Sequence, residues 1–374
     1  MTRIRVDLPL LFSVLGLIGL GVIMVYSSSW VLAEREFNNC WHYAHRQALY
    51  ACIGIVALCV GTLIDPRKYQ QYTYPIVLVT LVLLVLVLIP GIGTAAGIAR
   101  RWISIGPFNL QAGEISKIAL LIYLAASLSR KGERMREFKI GVLPHLFIPG
   151  SFVGLLLLEP DFGTAMMLFT VTTIMLFVGG AKLRYILGAG VIALPFAISL
   201  IASSPYRMKR ILAFLDPWSH RYDIGYQVTE SLITFGSGGV FGVGLGDGKQ
   251  KMFFLPAGHT DFIFANIGEE LGLIGVIIVL GAFSVIFVKG LMAAMYLQDS
   301  FKSYLAFGIA LTIIIQAIFN MAVVVGLVPT KGITLPFISY GGSSLIMTAF
   351  MAGILLRLSG ETRAIIDEDR GGMS

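Results

Sequence analysis

The chain has 374 residues and a formal net charge of +7, and its composition is 56% hydrophobic and only 13% charged. Soluble domains contain about 25% charged residues, so this composition excludes an ordinary soluble globular protein. The basic residues lie in short segments between apolar runs, which favours a role in membrane topology and argues against nucleic acid as a partner.

Apolar runs of about 20 residues, the length that an α-helix needs to cross about 30 Å of hydrocarbon, recur along the sequence, and we count ten predicted spans. The first follows Arg3 and Arg5, as the apolar core of a signal peptide would, but it is too long for one, so we predict a retained helix. The sequence therefore predicts an all-α, polytopic integral membrane protein with a single domain over 1–374. The ten spans are expected at about 8–30, 47–64, 73–90, 112–128, 141–158, 163–180, 184–202, 261–288, 304–327 and 344–358.

The distribution of basic residues predicts the topology. Arg67, Lys68, a basic cluster within 130–139, Lys182 and Arg184 all fall in short connections on the side of the N-terminus. Cytoplasmic connections carry an excess of Lys and Arg, and an even number of spans returns the chain to its starting side. We therefore expect both termini in the cytoplasm, with a solvated tail over about 359–374.

Three outer connections, about 91–111, 203–260 and 328–343, are rich in glycine, proline and aromatic residues and carry further basic residues. The second is far longer than an ordinary connection, and its amphipathic stretch at 225–239 indicates internal structure. The third contains PTKGITLPFISYGGSS, which is partly apolar but too rich in glycine and proline for a helix. Such backbone at membrane depth must be buried or line a polar cavity, so we predict a re-entrant loop. The side chains expected to face this cavity are Lys331, Ser339, Tyr340, Ser343 and Ser344.

The span predicted at 261–288 is unusual because it carries three carboxylates, Asp261, Glu269 and Glu270. Asp261 lies at its outer end, where it is either a helix cap or an ionised base open to the outer face. The two glutamates are about 12 to 13 Å further along, too far to form a catalytic pair with Asp261. We expect Glu270 to bind a neighbouring helix or loop. His259 is expected to be a hydrogen-bonding residue, with a metal ligand or a proton partner as the alternatives.

Three further ionisable residues need an explanation. Glu114 and Lys117 lie three residues apart, which predicts either an intrahelical ion pair or a lysine that reaches a substrate anion while Glu114 holds it. Asp161, in the outer turn LEPDFGTA, is expected to cap the next helix. The segment GVGLGDGKQ lacks residues that a phosphate-binding P-loop requires, so no nucleotide site is predicted, and no zinc motif occurs.

Several of these motifs occur together in one known family. The chain resembles the SEDS family (shape, elongation, division and sporulation) over nearly its whole length. The resemblance is carried by RRWISIG with QAGEISK, EPDFGTA, PYRMKRILAFLDPW, GYQVTESL, HTDFIFANIGEELG and PTKGITLPFISYGGSS. Thr330 and Lys331 are more similar to the division branch of the family than to the elongation branch.

The resemblance implies a peptidoglycan glycosyltransferase that polymerises lipid II at the outer face of the bacterial inner membrane during septal cell-wall synthesis. It also implies a class B penicillin-binding transpeptidase and other divisome membrane proteins as partners, besides membrane lipid. Asp261 matches the catalytic aspartate of the family. The residues expected at the substrate are Arg101, Glu114, Lys117, Arg207, Arg210, Lys331, Ser339 and Ser343. Some of these cations are expected to stabilise the departing pyrophosphate, alone or with Mg²⁺ or Mn²⁺.

The chain departs from the family pattern just before HTDF. Many members have an acidic residue after the preceding proline, where this chain has Ala257 and Gly258. This difference weakens any role for a second carboxylate there and leaves Asp261 unaffected.

Two other functions are consistent with ten spans and embedded charges: a lipid II flippase, and a non-catalytic scaffold that recruits the transpeptidase. The sequence has no pair of interrupted helices in corresponding halves, and its polar motifs gather on the outer face, which argues against a carrier. Within the family, an elongation-type polymerase is the alternative.

Overall fold

The computed structural model describes residues 6–96, 99–106, 108–248, 258–330 and 332–371. Ten of its helices coincide with the ten predicted spans, which confirms the all-α polytopic membrane fold. Within the described residues, seven helices are long and apolar enough to cross a bilayer. The shorter apolar helices lie at Thr73–Leu88, Phe162–Val178 and Leu183–Ile192.

The helices differ widely in length, and three short ones lie in the connections. In chain order they are α1 (Leu8–Phe37), α2 (His42–Leu63), α3 (Pro66–Gln71), α4 (Thr73–Leu88), α5 (Ala112–Lys131), α6 (Leu143–Leu158), α7 (Phe162–Val178), α8 (Leu183–Ala202), α9 (Pro205–Leu215), α10 (Tyr226–Ser237), α11 (Ile263–Tyr296), α12 (Ser300–Val324) and α13 (Gly342–Gly371). A 3₁₀ turn (Gly132–Arg136) and a π turn (Phe138–Val142) join α5 to α6.

α5 is the central helix of the bundle and is buried along most of its length. It packs against α4, α12 and α13, and its alanines and serines let those helices approach closely. α4 and α8 lie at the periphery, where Leu78 and Ile192 are among the exposed apolar residues. An apolar exterior around a packed interior is what a bilayer requires, because lipid replaces water as the solvent of that surface.

The connection between α4 and α5 contains a small antiparallel β-sheet, which is absent from the elements predicted from the sequence. Its strands, in the order β1 (Gly93–Ala96), β2 (Ala99–Ile105) and β3 (Phe108–Gln111), are neighbours in the sheet. Trp102 on β2 pairs with Gln111 on β3. The turn between them contains Gly106 at φ 59°, which glycine adopts without steric cost.

The re-entrant loop predicted at 328–343 is irregular backbone packed inside the protein. Its apolar residues Ile333, Leu335, Phe337 and Ile338 are all buried. The loop lies so close to α1 that a side chain at Gly21 would collide with the carbonyls of Phe337 and Ile338. Burial in protein explains how backbone without a helix is tolerated in this position.

α11 is broken near its start, whereas the sequence analysis expects a continuous span. At Gly272 the backbone leaves the helical region, with φ 63° and ψ −162°. The carbonyls of Glu269 and Glu270 accept hydrogen bonds from the N–H groups of Val243 and Gly244 at 2.9 and 3.1 Å. A side chain at Gly272 would collide with that outer loop. The break therefore lets the long outer loop dock on α11.

The long outer connection holds α9 and α10, and α10 corresponds to the amphipathic stretch in the sequence. α10 packs against α11 and α12. The Ser231 hydroxyl donates a hydrogen bond to the Val324 carbonyl at 2.8 Å. Arg221 also pairs with Glu230 at 3.5 Å. These contacts tie the described part of the connection to the bundle.

The end of the chain differs from the predicted solvated tail. α13 continues to Gly371, and Ser359 and Thr362 are buried. Ser359 donates a hydrogen bond to Asp7 at 2.8 Å, and Glu361 accepts one from Lys302 at 2.6 Å. The expectation of a tail from residue 359 is therefore wrong for these residues, because polar groups on other helices supply partners for them.

Candidate active site

A cavity of about 830 Å³ opens at one end of the bundle. α2, α5, α11 and α13 begin around it, and the positive ends of helix dipoles favour an anion there. The lining comes from four parts of the chain. It comprises Phe37, His42, Tyr43, Arg46, Tyr50, Ile53, Arg101, Trp102, Asn109, Leu110, Gln111, Thr260, Asp261, Gly332, Thr334, Tyr340, Gly341, Gly342, Ser343, Ser344, Ile346 and Met347.

The segment that carries Asp261 is tethered at every residue. Each of the four backbone carbonyls from 258 to 261 accepts a hydrogen bond from another part of the protein. The donors, in order, are Asn266 Nδ2 at 3.0 Å, the Tyr340 N–H at 3.0 Å, Ser339 Oγ at 2.7 Å and Asn320 Nδ2 at 2.8 Å. α11, α12 and the re-entrant loop together therefore fix the position of Asp261.

Asp261 is half-buried, and its surroundings raise the pKa of its carboxyl group. α11 begins at Ile263 without a side-chain cap, so Asp261 does not serve as a helix cap. Burial raises the pKa of Asp261 from 3.8 to about 6, and the positive charges of Arg210 and Arg101 oppose that rise. Its carboxyl group is therefore mostly ionised at pH 7 and becomes protonated when the pH falls below about 6. Such a group can accept a proton from a bound hydroxyl.

Arg101 reaches the cavity from β2 and is held by the turn before α7. Its guanidinium lies 3.9 Å from the Asp161 carboxylate and donates a hydrogen bond to the Pro160 carbonyl. Asp161 caps α7 by accepting from the Thr164 N–H at 3.3 Å, and it accepts from Gln111 at 3.3 Å as well. One carboxylate thereby positions two residues of the cavity lining, Arg101 and Gln111.

α9 carries two of the predicted cations, Arg207 and Arg210. Arg210 donates a hydrogen bond to the Thr330 carbonyl at 2.9 Å. The next residue, Lys331, is another predicted substrate contact, but it lies outside the described residues. Arg207 lies over the ring of Phe162, with 5.8 Å between its guanidinium carbon and the ring centroid.

Lys117 and Glu114 do not belong to the described lining of the cavity. The Lys117 ammonium lies 2.5 Å from the Glu114 carboxylate and donates to Gln316 Oε1 at 2.8 Å, and both charges are buried. Gln316 in turn donates to the Thr334 carbonyl at 3.0 Å. We therefore correct the expected substrate contact to a supporting role, because a buried ammonium is stable only when its donors are paired.

The two predicted serines have different surroundings. Ser343 lines the cavity, donates to the Asn109 carbonyl at 2.5 Å and so joins α13 to β3. Ser339 is buried and donates to the Thr260 carbonyl, as described above. Ser339 therefore positions the segment of Asp261, which corrects its expected place at the substrate.

Glu270 and His259 are outside the described lining of the cavity. The Glu270 carboxylate accepts hydrogen bonds from the Ser27 hydroxyl at 2.6 Å and from the Gly246 N–H at 3.1 Å, so it joins α11 to α1 and to the outer loop. Burial lowers the pKa of His259, which keeps its ring neutral at pH 7. The ring centroids of His259 and Tyr43 are 4.9 Å apart.

Several lining residues were not singled out from the sequence, notably Tyr43, Arg46 and Tyr50 on α2 and Trp102 on β2. α2 begins with HYAHRQALY, a polar and aromatic run at the outer start of a predicted span. That run of polar and aromatic residues was the signal in the sequence that could have identified α2 as part of the cavity lining. The position of Trp102 depends on the β-sheet, so no local pattern indicated it.

The expected Mg²⁺ or Mn²⁺ has few protein ligands available. In the described part of the chain, no group of three or more His, Cys, Asp or Glu side chains could hold a metal ion. Asp261 is the only acidic residue in the described cavity lining. Magnesium is commonly bound by one or two carboxylates together with substrate phosphates, so Asp261 with a diphosphate ligand would fit, and the metal stays a prediction.

The fold and the cavity define a polytopic membrane protein with a cavity at the ends of its helices, and Asp261 is the one carboxylate in the described lining of that cavity. A family model described as cell cycle protein, covering FtsW, RodA and SpoVE, matches residues 8–364. The chain therefore belongs to this family, which confirms the resemblance seen in the motifs.

Individual relatives agree with this assignment. Proteins named probable peptidoglycan glycosyltransferase FtsW from Trichlorobacter lovleyi and Legionella pneumophila are 48% and 41% identical to this chain. The first match covers 94% of this chain and 93% of the relative, and the second covers 96% and 91%.

Solved structures share the fold. A chain from a peptidoglycan synthase complex, studied for the coordination of polymerization and crosslinking, has a TM-score of 0.78 and 28% identity, covering 96% of this chain and 98% of that chain. The rod shape determining protein RodA of Thermus thermophilus has a TM-score of 0.71 and 27% identity, with 96% and 98% covered.

Proposed function

We propose that this chain is a peptidoglycan glycosyltransferase that polymerises lipid II at the outer face of the bacterial inner membrane during septal cell-wall synthesis. Relatives with up to 48% identity carry the name of this activity. The observation that carries the proposal is Asp261, a carboxylate in a cavity at the helix ends with Arg101 and Arg210 near enough to lower its pKa.

Asp261 acts as the general base in this proposal. A catalytic base works best when its pKa lies near the operating pH, because it must be ionised and still bind a proton well. A pKa of about 6 meets both conditions. Four tethered carbonyls in its segment hold the carboxylate in place while the substrate binds.

The reaction joins two lipid II molecules, or a growing strand and lipid II. The C4 hydroxyl oxygen of an N-acetylglucosamine attacks C1 of an N-acetylmuramic acid, and its proton passes to the Asp261 carboxylate. The new C4–O–C1 bond forms as the bond from C1 to the phosphate oxygen breaks, and its electron pair leaves with the polyprenyl pyrophosphate. Attack from the opposite face inverts the anomeric carbon from α to β.

The departing pyrophosphate gains negative charge and needs fixed cations. Among the cations predicted from the sequence, Arg101, Arg207 and Arg210 are described by the structure, and Lys331 remains a further candidate. A guanidinium presents paired N–H donors that match two phosphate oxygens, which suits this role. Mg²⁺ or Mn²⁺, if held by Asp261 and the diphosphate, would neutralise further negative charge on the phosphate oxygens.

A second cavity of about 560 Å³ fits the polyprenyl tail. It lies between α6, α7 and α8 and is lined mainly by apolar residues, including Leu146, Val153 and Phe169. Its lining includes Phe162, which lies under Arg207 and next to Asp161, the partner of Arg101. A tail in this groove would therefore end beside the cations that meet its pyrophosphate.

The partners and the membrane orientation of the chain are the last part of the proposal. We propose a class B penicillin-binding transpeptidase as the partner, since a similar chain occurs in a complex that coordinates polymerization with crosslinking. Other divisome membrane proteins would contact the chain through the membrane. The positive-inside pattern supports cytoplasmic termini, and this orientation puts Asp261 on the outer face.

The test is polymerisation of lipid II in detergent by the purified chain with its transpeptidase partner. Asp261→Asn should lose roughly 10² to 10⁴ in rate, the usual contribution of a general base. Asp223→Asn is the matched control, because Asp223 is an exposed carboxylate of the same outer connection. An Asp261→Asn variant that polymerises at the wild-type rate would remove the base. A wild-type chain that moves lipid II across vesicles but makes no glycan would favour a flippase.

A further inference from the structure

Part of the cavity beside Asp261 is lined by aromatic rings, whose role the proposed mechanism does not explain. The side chains are Phe37 at the end of α1, His42, Tyr43 and Tyr50 on α2, and Tyr340 on the re-entrant loop. We call these five residues the aromatic wall. They come from elements other than those that carry Arg101 and Arg210.

The rings of the aromatic wall form a continuous packed series. Phe37 and His42 are stacked, with centroids 3.8 Å apart and planes 4° from parallel. Tyr43 meets His42 edge-on at 5.4 Å and meets Tyr340 edge-on at 5.4 Å. Tyr50 follows at 6.3 Å from Tyr340. Stacked and edge-on contacts of this kind fix the orientation of each ring.

The wall is also fixed relative to Asp261. The Tyr43 hydroxyl donates a hydrogen bond to Glu36 at 2.9 Å, and its ring contacts that of His259. The Tyr340 N–H donates to the His259 carbonyl at 3.0 Å, two residues before Asp261. A ligand held on the wall would therefore have a defined position with respect to the carboxylate.

The chemistry of the wall matches a sugar better than a phosphate or a lipid tail. One face of a pyranose ring presents C–H groups that pack on an aromatic face, while its hydroxyl and acetamido groups need hydrogen bonds. Phe37 is 48% exposed, and polar side chains of Asn109, Gln111 and Ser343 line the same cavity. The cavity volume of about 830 Å³ lies toward the upper end of the roughly 300 to 1,000 Å³ usual for small-molecule sites.

We infer that the aromatic wall is a binding site for the amino-sugar rings of the glycan strand, which it holds beside Asp261 by stacking. This inference rests on the proposed function and adds the location of the saccharide. The alternative is an aromatic belt that only anchors the helices at the membrane surface. A belt would face lipid, whereas these rings line the cavity of Asp261.

The experiment compares Phe37→Ala, Phe37→Tyr and Phe147→Ala in the full chain with its transpeptidase partner. Phe147 is the control, since it is 70% exposed on α6 and belongs to neither described cavity lining. Two quantities are measured: the affinity for a soluble tetrasaccharide of alternating N-acetylglucosamine and N-acetylmuramic acid, by calorimetry, and the length of the glycan strands made from lipid II.

We expect Phe37→Ala to bind the tetrasaccharide about 3- to 10-fold more weakly, as the loss of one aromatic contact implies, and to make shorter strands. Phe37→Tyr should restore both quantities, and Phe147→Ala should match the wild type. Equal affinity and equal strand length in Phe37→Ala and the wild type would overturn the inference while leaving the polymerase intact. Absence of polymer from the wild type would overturn the proposed function, and the affinity measurement would still decide the saccharide site.

Discussion

The pH dependence of polymerisation should report the ionisation of Asp261. The proposed base, Asp261, must be charged to accept a proton, and burial raises its pKa to about 6. The ionised fraction is then about 10% at pH 5, about 50% at pH 6 and about 90% at pH 7. We therefore expect the rate to fall about tenfold for each pH unit well below 6. An ordinary aspartate would keep full activity down to about pH 5.

Removing a neighbouring charge should move this profile in a known direction. Arg210 and Arg101 both lower the pKa of Asp261, and Arg210 has the larger effect. Arg210→Gln should therefore shift the acid limb to higher pH, by up to about one pH unit. Its maximal rate should also fall, because Arg210 is a candidate for the pyrophosphate. The shift of the acid limb reports the lost charge near Asp261, whereas the fall in maximal rate reports the lost contact with the pyrophosphate.

The same raised pKa predicts that Asp261 destabilises the fold. The folded state favours the neutral acid, so ionisation of Asp261 lowers the free energy of unfolding. This destabilisation grows as the pH rises from about 4 to about 6, and it is fully present above pH 6. A pKa of about 6 instead of 3.8 corresponds to about 3 kcal/mol, which we reduce to about 1 to 2 kcal/mol because the cavity admits solvent. Asp261→Asn should therefore be more stable than the wild type above pH 6, although it polymerises lipid II more slowly.

The assay is the initial rate of lipid II polymerisation from pH 5 to pH 9, with thermal unfolding in detergent at pH 5 and pH 8. Wild type, Arg210→Gln, Asp261→Asn and the control Asp223→Asn are compared. An acid limb centred near pH 4, or one that stays in place in Arg210→Gln, would refute the electrostatic reasoning. An Asp261→Asn protein that unfolds earlier than the wild type at pH 8 would refute the stability argument.

Three further substitutions test the framework around the site, with stability read by thermal unfolding in detergent. Asn320→Leu removes the donor to the partly buried carbonyl of Asp261, at 2.8 Å, and to the buried carbonyl of Ile333, at 2.7 Å. It should cost about 2 to 4 kcal/mol and lower the polymerisation rate. Lys117→Met leaves the Glu114 charge buried without its ion pair and should cost about 3 to 5 kcal/mol, whereas adding Glu114→Gln should recover part of that loss. Gly61→Ala puts a Cβ 2.5 Å from the Phe350 carbonyl, forces α2 away from α13 and should cost about 1 to 3 kcal/mol. Unchanged unfolding temperatures would contradict each of these assignments.

The membrane fold follows from local information in the sequence. A span is recognised by its own length and apolar composition, because a helix satisfies its backbone hydrogen bonds without help from distant residues. Asp261 was identified in the same way, as a carboxylate at the outer end of a span. The helical rise alone predicts that the carboxylates of Glu269 and Glu270 lie too far from Asp261 to form a catalytic pair with it.

The remaining features depend on contacts between distant parts of the chain. The sequence left two interpretations open for Lys117, and the choice between them rests on Gln316, 199 residues away. The break of α11 at Gly272 requires the outer loop that occupies the freed carbonyls.

For this protein, the sequence by itself determined which segments cross the membrane and that Asp261 lies at the start of one of these helices. Only the tertiary structure decided what surrounds that carboxylate. These surroundings are the hydrogen-bond donors to the segment of Asp261, the arginines that lower its pKa and the aromatic wall. They come from α1, α2, β2, α9, α11, α12 and the re-entrant loop. Long-range packing brings these elements together, and no pattern within a single helix encodes it.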